Sequence, residues 1–267
     1  SYLAGLEHTR VVLWVTVAAA VANALANYLL IFGNWGLPEM GIAGAATASV
    51  VSGTVSLGIV IVYALRVLPQ HQLFVRFWKA DWDMFSRVFS VGLPIGLTTL
   101  AEVTLFAGSA VLMGWLGEIP LAAHGVALQI ATATFMVQLG LANAATVRAG
   151  NAYGRGDMDH LRRGALVVAG LSFVAALLSI MAILTAPGVL IGLFIDPDDP
   201  ARDVIIATGA GLLLLAGLFQ LFDAMQVIHL GILRGLEDTR VPMIMAALAY
   251  WGVGMPAAWV LGFPLGF

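Results

Sequence analysis

Leu233-Arg234-Gly235-Leu236-Glu237-Asp238-Thr239-Arg240-Val241 restates Leu3-Ala4-Gly5-Leu6-Glu7-His8-Thr9-Arg10-Val11, with seven of nine positions identical at an offset of 230. Each copy stands directly before a long apolar run. Seven such runs can be drawn: approximately Val11–Gly33, Gly41–Leu65, Val88–Leu116, Ile119–Val147, Gly164–Ile195, Val204–Leu233 and Val241–Phe267. Each reaches the ~20 apolar residues that cross the hydrocarbon of a bilayer. Runs of this length without alternation predict helices, since strands could span only as a closed barrel with a two-residue period. Five spans separate the span after the first copy from the span after the second, so the repeating unit is six spans. Six is even, so both copies enter the membrane in the same direction, as two halves related by an axis along the membrane normal.

Composition agrees with this reading. Hydrophobic residues make up 61% of the 267 and charged residues 10%, against about a quarter charged in soluble domains. The net charge of −3 gives no argument for a nucleic-acid partner, and the absence of cysteine excludes disulfides, thiolate metal sites and redox pairs. Ser1–Arg10 does not resemble a signal peptide. Without an initiating Met, the chain is expected to begin inside a longer protein. Two six-span units make a parent of about twelve spans, of which this chain would be spans five to eleven. The remainder of that protein is then its first partner, with the lipid bilayer.

The connections predict orientation. Of the twelve basic residues, eleven fall in alternate connections: Arg10; Arg66, Arg76, Lys79 and Arg87; Arg148, Arg155, Arg162 and Arg163; Arg234 and Arg240. The opposite set holds only Arg202. Basic residues stay on the cytoplasmic side, so residue 1 is expected there and Phe267 outside. Pro94 and Pro187 are candidate kinks, because each removes a backbone donor within a helical run. The segment 68–90 carries Phe74, Phe77, Trp78, Trp82 and Phe85 around Arg76 and Lys79, which suits either a short interfacial helix or a plain linker. It divides the chain into residues 1–67, two helices of a first lobe, and residues 91–267, five helices of a second.

Only two acidic residues lie inside the spans, Glu102 and Asp223. Each costs roughly 2.5–3.5 kcal/mol at a helix centre. Glu102 is about fourteen residues from the cytoplasmic end of its run and Asp223 about ten, which places them ~21 and ~15 Å deep. The chemical reading is a shared Na+ or proton site, for which Glu102 and Asp223 are the possible Na+ ligands. A carboxyl in apolar surroundings can exchange a proton for a cation without a cofactor. The structural alternative is a carboxyl satisfied by hydroxyls such as Thr98, Thr99 or Thr104, although no basic residue lies mid-span to pair with it. Gln220 and Gln226 flank Asp223; Gln129, Gln138 and Asn143 share a span, as do Asn23 and Asn27. Singly these read as interhelical hydrogen-bond donors, together as a wet cavity. Gly41, Gly44, Gly53 and Gly58 read as close helix packing. Phe106, Phe135, Met136, Phe219, Phe222 and Met225 are either packing or the aromatic and pliable faces a flat organic cation would meet. There is no phosphate-binding loop, metal-ligand spacing or nucleophile–base pair, so the chain is not read as an enzyme.

At this point the sequence resembles the multidrug and toxic compound extrusion family, in its NorM-type branch. The resemblance rests on Gly92-Leu93-Pro94-Ile95-Gly96 through Glu102-Val103-Thr104-Leu105-Phe106, then Leu121-Ala122-Ala123-His124-Gly125-Val126-Ala127-Leu128-Gln129, then Arg148-Ala149-Gly150-Asn151 with Gly154 and Gly156. Asp223-Ala224-Met225-Gln226-Val227 and Leu233-Arg234-Gly235 continue it. It implies an all-α polytopic membrane protein, part of a two-lobe, twelve-helix transporter of the bacterial inner membrane. The implied activity is export of organic cations and other xenobiotics against Na+ or H+, with no other cofactor. It also implies that Glu102 and Asp223 carry the coupling cation, with Asn23 a first-lobe polar position and Gln129, Phe219, Gln220 and Gln226 around the substrate cavity. Phe219 stands where some Na+-coupled relatives have a Tyr, so an oxygen is absent there. Ala4 stands opposite Arg234 in the repeat, so the lobes differ at that turn. The rival readings are a lipid-linked oligosaccharide flippase, which would want basic residues in the cavity, and a non-transporting membrane subunit. A retinal protein is excluded because the one lysine, Lys79, lies in a connection.

Overall fold

The computed structural model describes residues 2–6, 8–36, 38–71 and 80–264. Among these there is no strand, and seven helices are long and apolar enough to cross a membrane. The chain divides into two compact units, Ser1–Trp82 and Asp83–Phe267.

In the first unit, α1 (Tyr2–Gly5) leads into α2 (Thr9–Phe32), which α3 (Gly41–Val67) packs against. The reversal between them uses left-handed backbone at Gly33, Gly36 and Gly41, with φ of 64°, 84° and 53°. A Cβ would be strained there, which glycine avoids. Gly44 is the true close-approach glycine of this pair: a Cβ on it would lie 2.5 Å from the Leu30 carbonyl oxygen. Gly53 and Gly58 meet nothing within 4 Å in this unit. The aromatic segment from Phe74 to Lys79 lies outside the described residues, whereas Trp82 and Phe85 belong to the first turn of the next helix.

The second unit consists of α4 (Trp82–Leu116), α5 (Glu118–Gly154), α6 (Met158–Thr185), a short α7 (Pro187–Gly192), α8 (Arg202–Gly235), α9 (Arg240–Ala247) and α10 (Met255–Gly262). Its centre is the trio α5, α6 and α8. Lipid is as apolar as leucine, so helices in it associate through small residues and polar contacts. Gly231 and Gly235 of α8 accordingly lie against the backbone of α5, where a Cβ would come within 2.6 Å of the Ala142 carbonyl and 2.5 Å of the Thr146 carbonyl. Above this seam Ile183, Ile191, Leu213, Ala127 and Ile130 form the main apolar cluster. At its middle, the Ser172 hydroxyl donates to Gln138 Oε1 at 2.6 Å while Gln138 Nε2 donates to the Ser172 carbonyl at 3.2 Å. Both side chains are fully buried, so the polar cost is met inside the trio.

Proline shapes the unit in three ways. Pro94 sits inside α4 without ending it. Pro187 does end its helix: Ala186 is forced to φ −153°, ψ 58°, and the span expected as Gly164–Ile195 is two helices, α6 and α7. The residue before a proline is pushed away from helical geometry, and Pro187 then starts the next helix, where it needs no donor. In the last span, expected as one continuous helix, Leu248–Gly254 is a π turn joining α9 to α10. Pro256 follows it and cannot donate to a carbonyl one turn back.

The sequence repeat proves to be a repeated connection. The His8 N–H donates to the Leu3 carbonyl at 3.0 Å, and the Asp238 N–H donates to the Leu233 carbonyl at 3.0 Å. This six-to-one bond closes one helix before the next begins. In the second copy Glu237 takes the left-handed position, with φ 61°.

Candidate cation site

Glu102 on α4 and Asp223 on α8 are both half-buried and lie within Coulombic reach of one another. Depth in the membrane follows from helix length; proximity follows from rotation. α4 joins the trio through long side chains rather than close backbone approach. Phe106 meets Phe219 of α8 edge-on, with ring centroids 6.5 Å apart. Four residues separate Phe106 from Glu102 and Phe219 from Asp223, so the aromatic contact lies about one helical turn from the carboxyls on both helices.

Among the described residues no hydrogen-bond donor and no counter-ion contacts the two carboxylates. Neither makes an ion pair among the described residues; the Arg87–Glu237 salt bridge, at 3.0 Å, lies elsewhere. Arg234 is within Coulombic reach of Glu102 without contacting it. The hydroxyls that could have neutralised Glu102 are committed elsewhere. Thr98 donates to the Pro94 carbonyl at 2.8 Å, Thr99 to Ile95 at 3.1 Å, and Thr104 to Leu100 at 2.6 Å. A half-buried carboxylate pair with no hydrogen-bond donor and no counter-ion in contact can take a cation as its partner.

The other polar residues divide. Gln226 turns toward the last span and donates from Nε2 to the Tyr250 hydroxyl at 2.6 Å. Gln220 turns the other way, into the helical core, 4% exposed and with neither amide atom partnered. Gln129 is exposed on α5. Asn23 belongs to the first unit, where its Nδ2 donates to Ser52 at 3.2 Å and its Oδ1 accepts from Asn27 at 2.9 Å. Phe219 is 46% exposed, a ring face open beside the carboxyls. Tyr250 was not singled out by the sequence. Its signal was Pro256 six residues on, which displaces the helix register.

Fold and site together define a polytopic helical membrane protein whose interior carries paired carboxylates. The MatE family model matches residues 94–260, and the chain belongs to the MatE family of multidrug and toxic compound extrusion proteins. A "Probable multidrug resistance protein NorM" of Rhizobium meliloti is 46% identical over 271 residues, covering 100% of this chain and 58% of the relative. The "Multidrug resistance protein NorM" of Burkholderia vietnamiensis is 35% identical over 266 residues, covering 100% and 57%. The chain thus spans little more than half the length of the curated relatives it matches. Crystal structures of MATE in the bent and the straight conformation share the fold, with TM-scores of 0.76 and 0.77 at 18% and 19% identity, covering 95% and 93% of this chain and 55% and 54% of theirs. The protein is an integral inner-membrane protein, and all seven expected spans are present.

Proposed function

We propose that the whole protein is a secondary exporter that moves organic cations and other xenobiotics out of the cell in exchange for Na+ or H+. Glu102 and Asp223 carry the coupling cation. The observation that supports this most is the pair of half-buried carboxylates within Coulombic reach of one another, left without a donor or a contacting counter-ion among the described residues. A cation entering between them is held by both; one leaving exposes charge that a cationic substrate can neutralise. Such competition couples the two fluxes if the cation binds one conformation better than the other. The "Multidrug resistance" names of the relatives favour the same reading.

The test uses the whole protein in liposomes, loaded with a fluorescent organic cation and given either a Na+ gradient or a pH gradient of equal driving force. Dye movement driven by one gradient and lost in Glu102→Gln is the expected result. Full transport by that variant would remove Glu102 from the site. A wild-type protein that is folded and oriented yet indifferent to both gradients would overturn exchange altogether.

A further inference from the structure

The π turn at Leu248–Gly254 is closed by the Met255 N–H donating to the Tyr250 carbonyl, five residues back. One extra residue in a helical turn rotates the helix before it relative to the helix after it, and such turns concentrate at functional sites. Of the seven residues in this one, only Tyr250 is buried, at 9% exposure. Its ring packs with Ala101 of α4 and Ala246 of α9, against Leu105. The neighbouring Trp251 donates from Nε1 to the Thr104 hydroxyl at 3.1 Å, which pins the turn to the helix carrying Glu102. On its other side the Tyr250 hydroxyl accepts from Gln226, three residues beyond Asp223 on α8. The hydroxyl is therefore held between the two acid-bearing helices, within Coulombic reach of both Glu102 and Asp223.

A phenolic oxygen offers one proton and two lone pairs. Gln226 occupies one lone pair, and the hydroxyl makes no other hydrogen bond among the described residues. The second lone pair is what a reversible site needs. It can turn onto a cation when one arrives, with the proton turned away from it. Hard cations take oxygen ligands.

We infer that Tyr250, presented by the π turn and aimed by Gln226, is a third ligand of the site, its hydroxyl oxygen coordinating Na+ between Glu102 and Asp223. This rests on the proposed role of those carboxylates and adds both a ligand and a choice of ion. Gln226 is a positioning residue: it fixes which way the hydroxyl points without touching the cation.

The experiment measures binding of radioactive sodium to the purified whole protein, with thermal unfolding in Na+-free buffer as the check on folding. Tyr250→Phe should weaken Na+ binding about tenfold, the equivalent of one lost polar contact. Gln226→Leu should shift binding in the same direction by less, and it keeps the question answerable if Tyr250→Phe folds poorly. Glu102→Gln should abolish binding. Wild-type affinity in both Tyr250→Phe and Gln226→Leu, with binding lost in Glu102→Gln, would overturn the inference and leave the carboxylate site standing. Na+ binding unaffected by Glu102→Gln would instead overturn the carboxylate site, and the role of Tyr250 with it. A wild-type protein that binds no Na+ but transports under a pH gradient would overturn Na+ coordination by Tyr250 alone.

Discussion

The Thr146 hydroxyl shares its one proton between the Gly231 carbonyl at 2.8 Å and the Ala142 carbonyl of its own helix at 2.9 Å, so a side chain of α5 is tied to the backbone of α8. The bond exists because Gly231 has no side chain to hold the helices apart. A Cβ there would stand 2.6 Å from the Ala142 carbonyl oxygen, which belongs to rigid backbone and cannot yield. Gly231→Ala should therefore destabilise the whole protein by about 1–3 kcal/mol, the usual cost of overpacking, read as a lower unfolding temperature in detergent. Gly125→Ala, where a Cβ meets nothing within 4 Å, should leave that temperature unchanged or raise it.

Gln138 and Ser172 satisfy each other in the centre of the trio, and the Ser172 hydroxyl also lies 3.5 Å from the Ala224 carbonyl. Gln138→Leu should cost about 1–3 kcal/mol, because it strands a buried partner. Adding Ser172→Ala should cost less than its own single effect, since the stranded group is then gone. Unfolding of the two single variants and the double variant measures the coupling; strict additivity would contradict the network.

Arg87 and Glu237 form an exposed pair, with side chains 67% and 54% accessible. Surface pairs contribute about 0–1 kcal/mol. Glu237 also holds a left-handed φ of 61°, which costs a non-glycine residue roughly 1–2 kcal/mol. Glu237→Gly loses the first and relieves the second, so its stability should stay within about 1 kcal/mol of the parent or rise. Arg87→Ala removes only the attraction, so its small loss should fade at high salt.

Phe219 presents a half-open ring beside the carboxyls and meets Phe106 edge-on. If that face receives flat cations, Phe219→Leu should weaken transport of aromatic cations by about five- to thirtyfold, the equivalent of ~1–2 kcal/mol of cation–π attraction in a desolvated site. Aliphatic quaternary cations should lose less. Equal losses for both substrate types in liposome transport would point to packing in place of recognition.

Much of this was legible in the chain. Span count, the repeated connection and the rarity of Glu102 and Asp223 are local quantities: hydropathy over about twenty residues and the cost of one charge in lipid. The structure added the break at Ala186–Pro187. The proline was visible, but whether a helix runs on, as α4 does through Pro94, or ends depends on what its neighbours can satisfy. Gly44, Gly53 and Gly58 looked alike in sequence, and only Gly44 meets another backbone.

The sequence by itself determined that these helices are long and apolar enough to lie in lipid. It could not determine how each helix is turned about its own axis. In water an apolar stripe fixes that rotation; in lipid nearly every face is apolar, and the stripe carries no information. Gln220 and Gln226 flank Asp223 symmetrically in the sequence, yet one is turned into the helical core and the other holds Tyr250. That division was settled by the small-residue seam of α8 against α5 and by the extra residue in the π turn. Both are tertiary facts, because close packing, not hydrophobicity, is what orients a helix in a membrane.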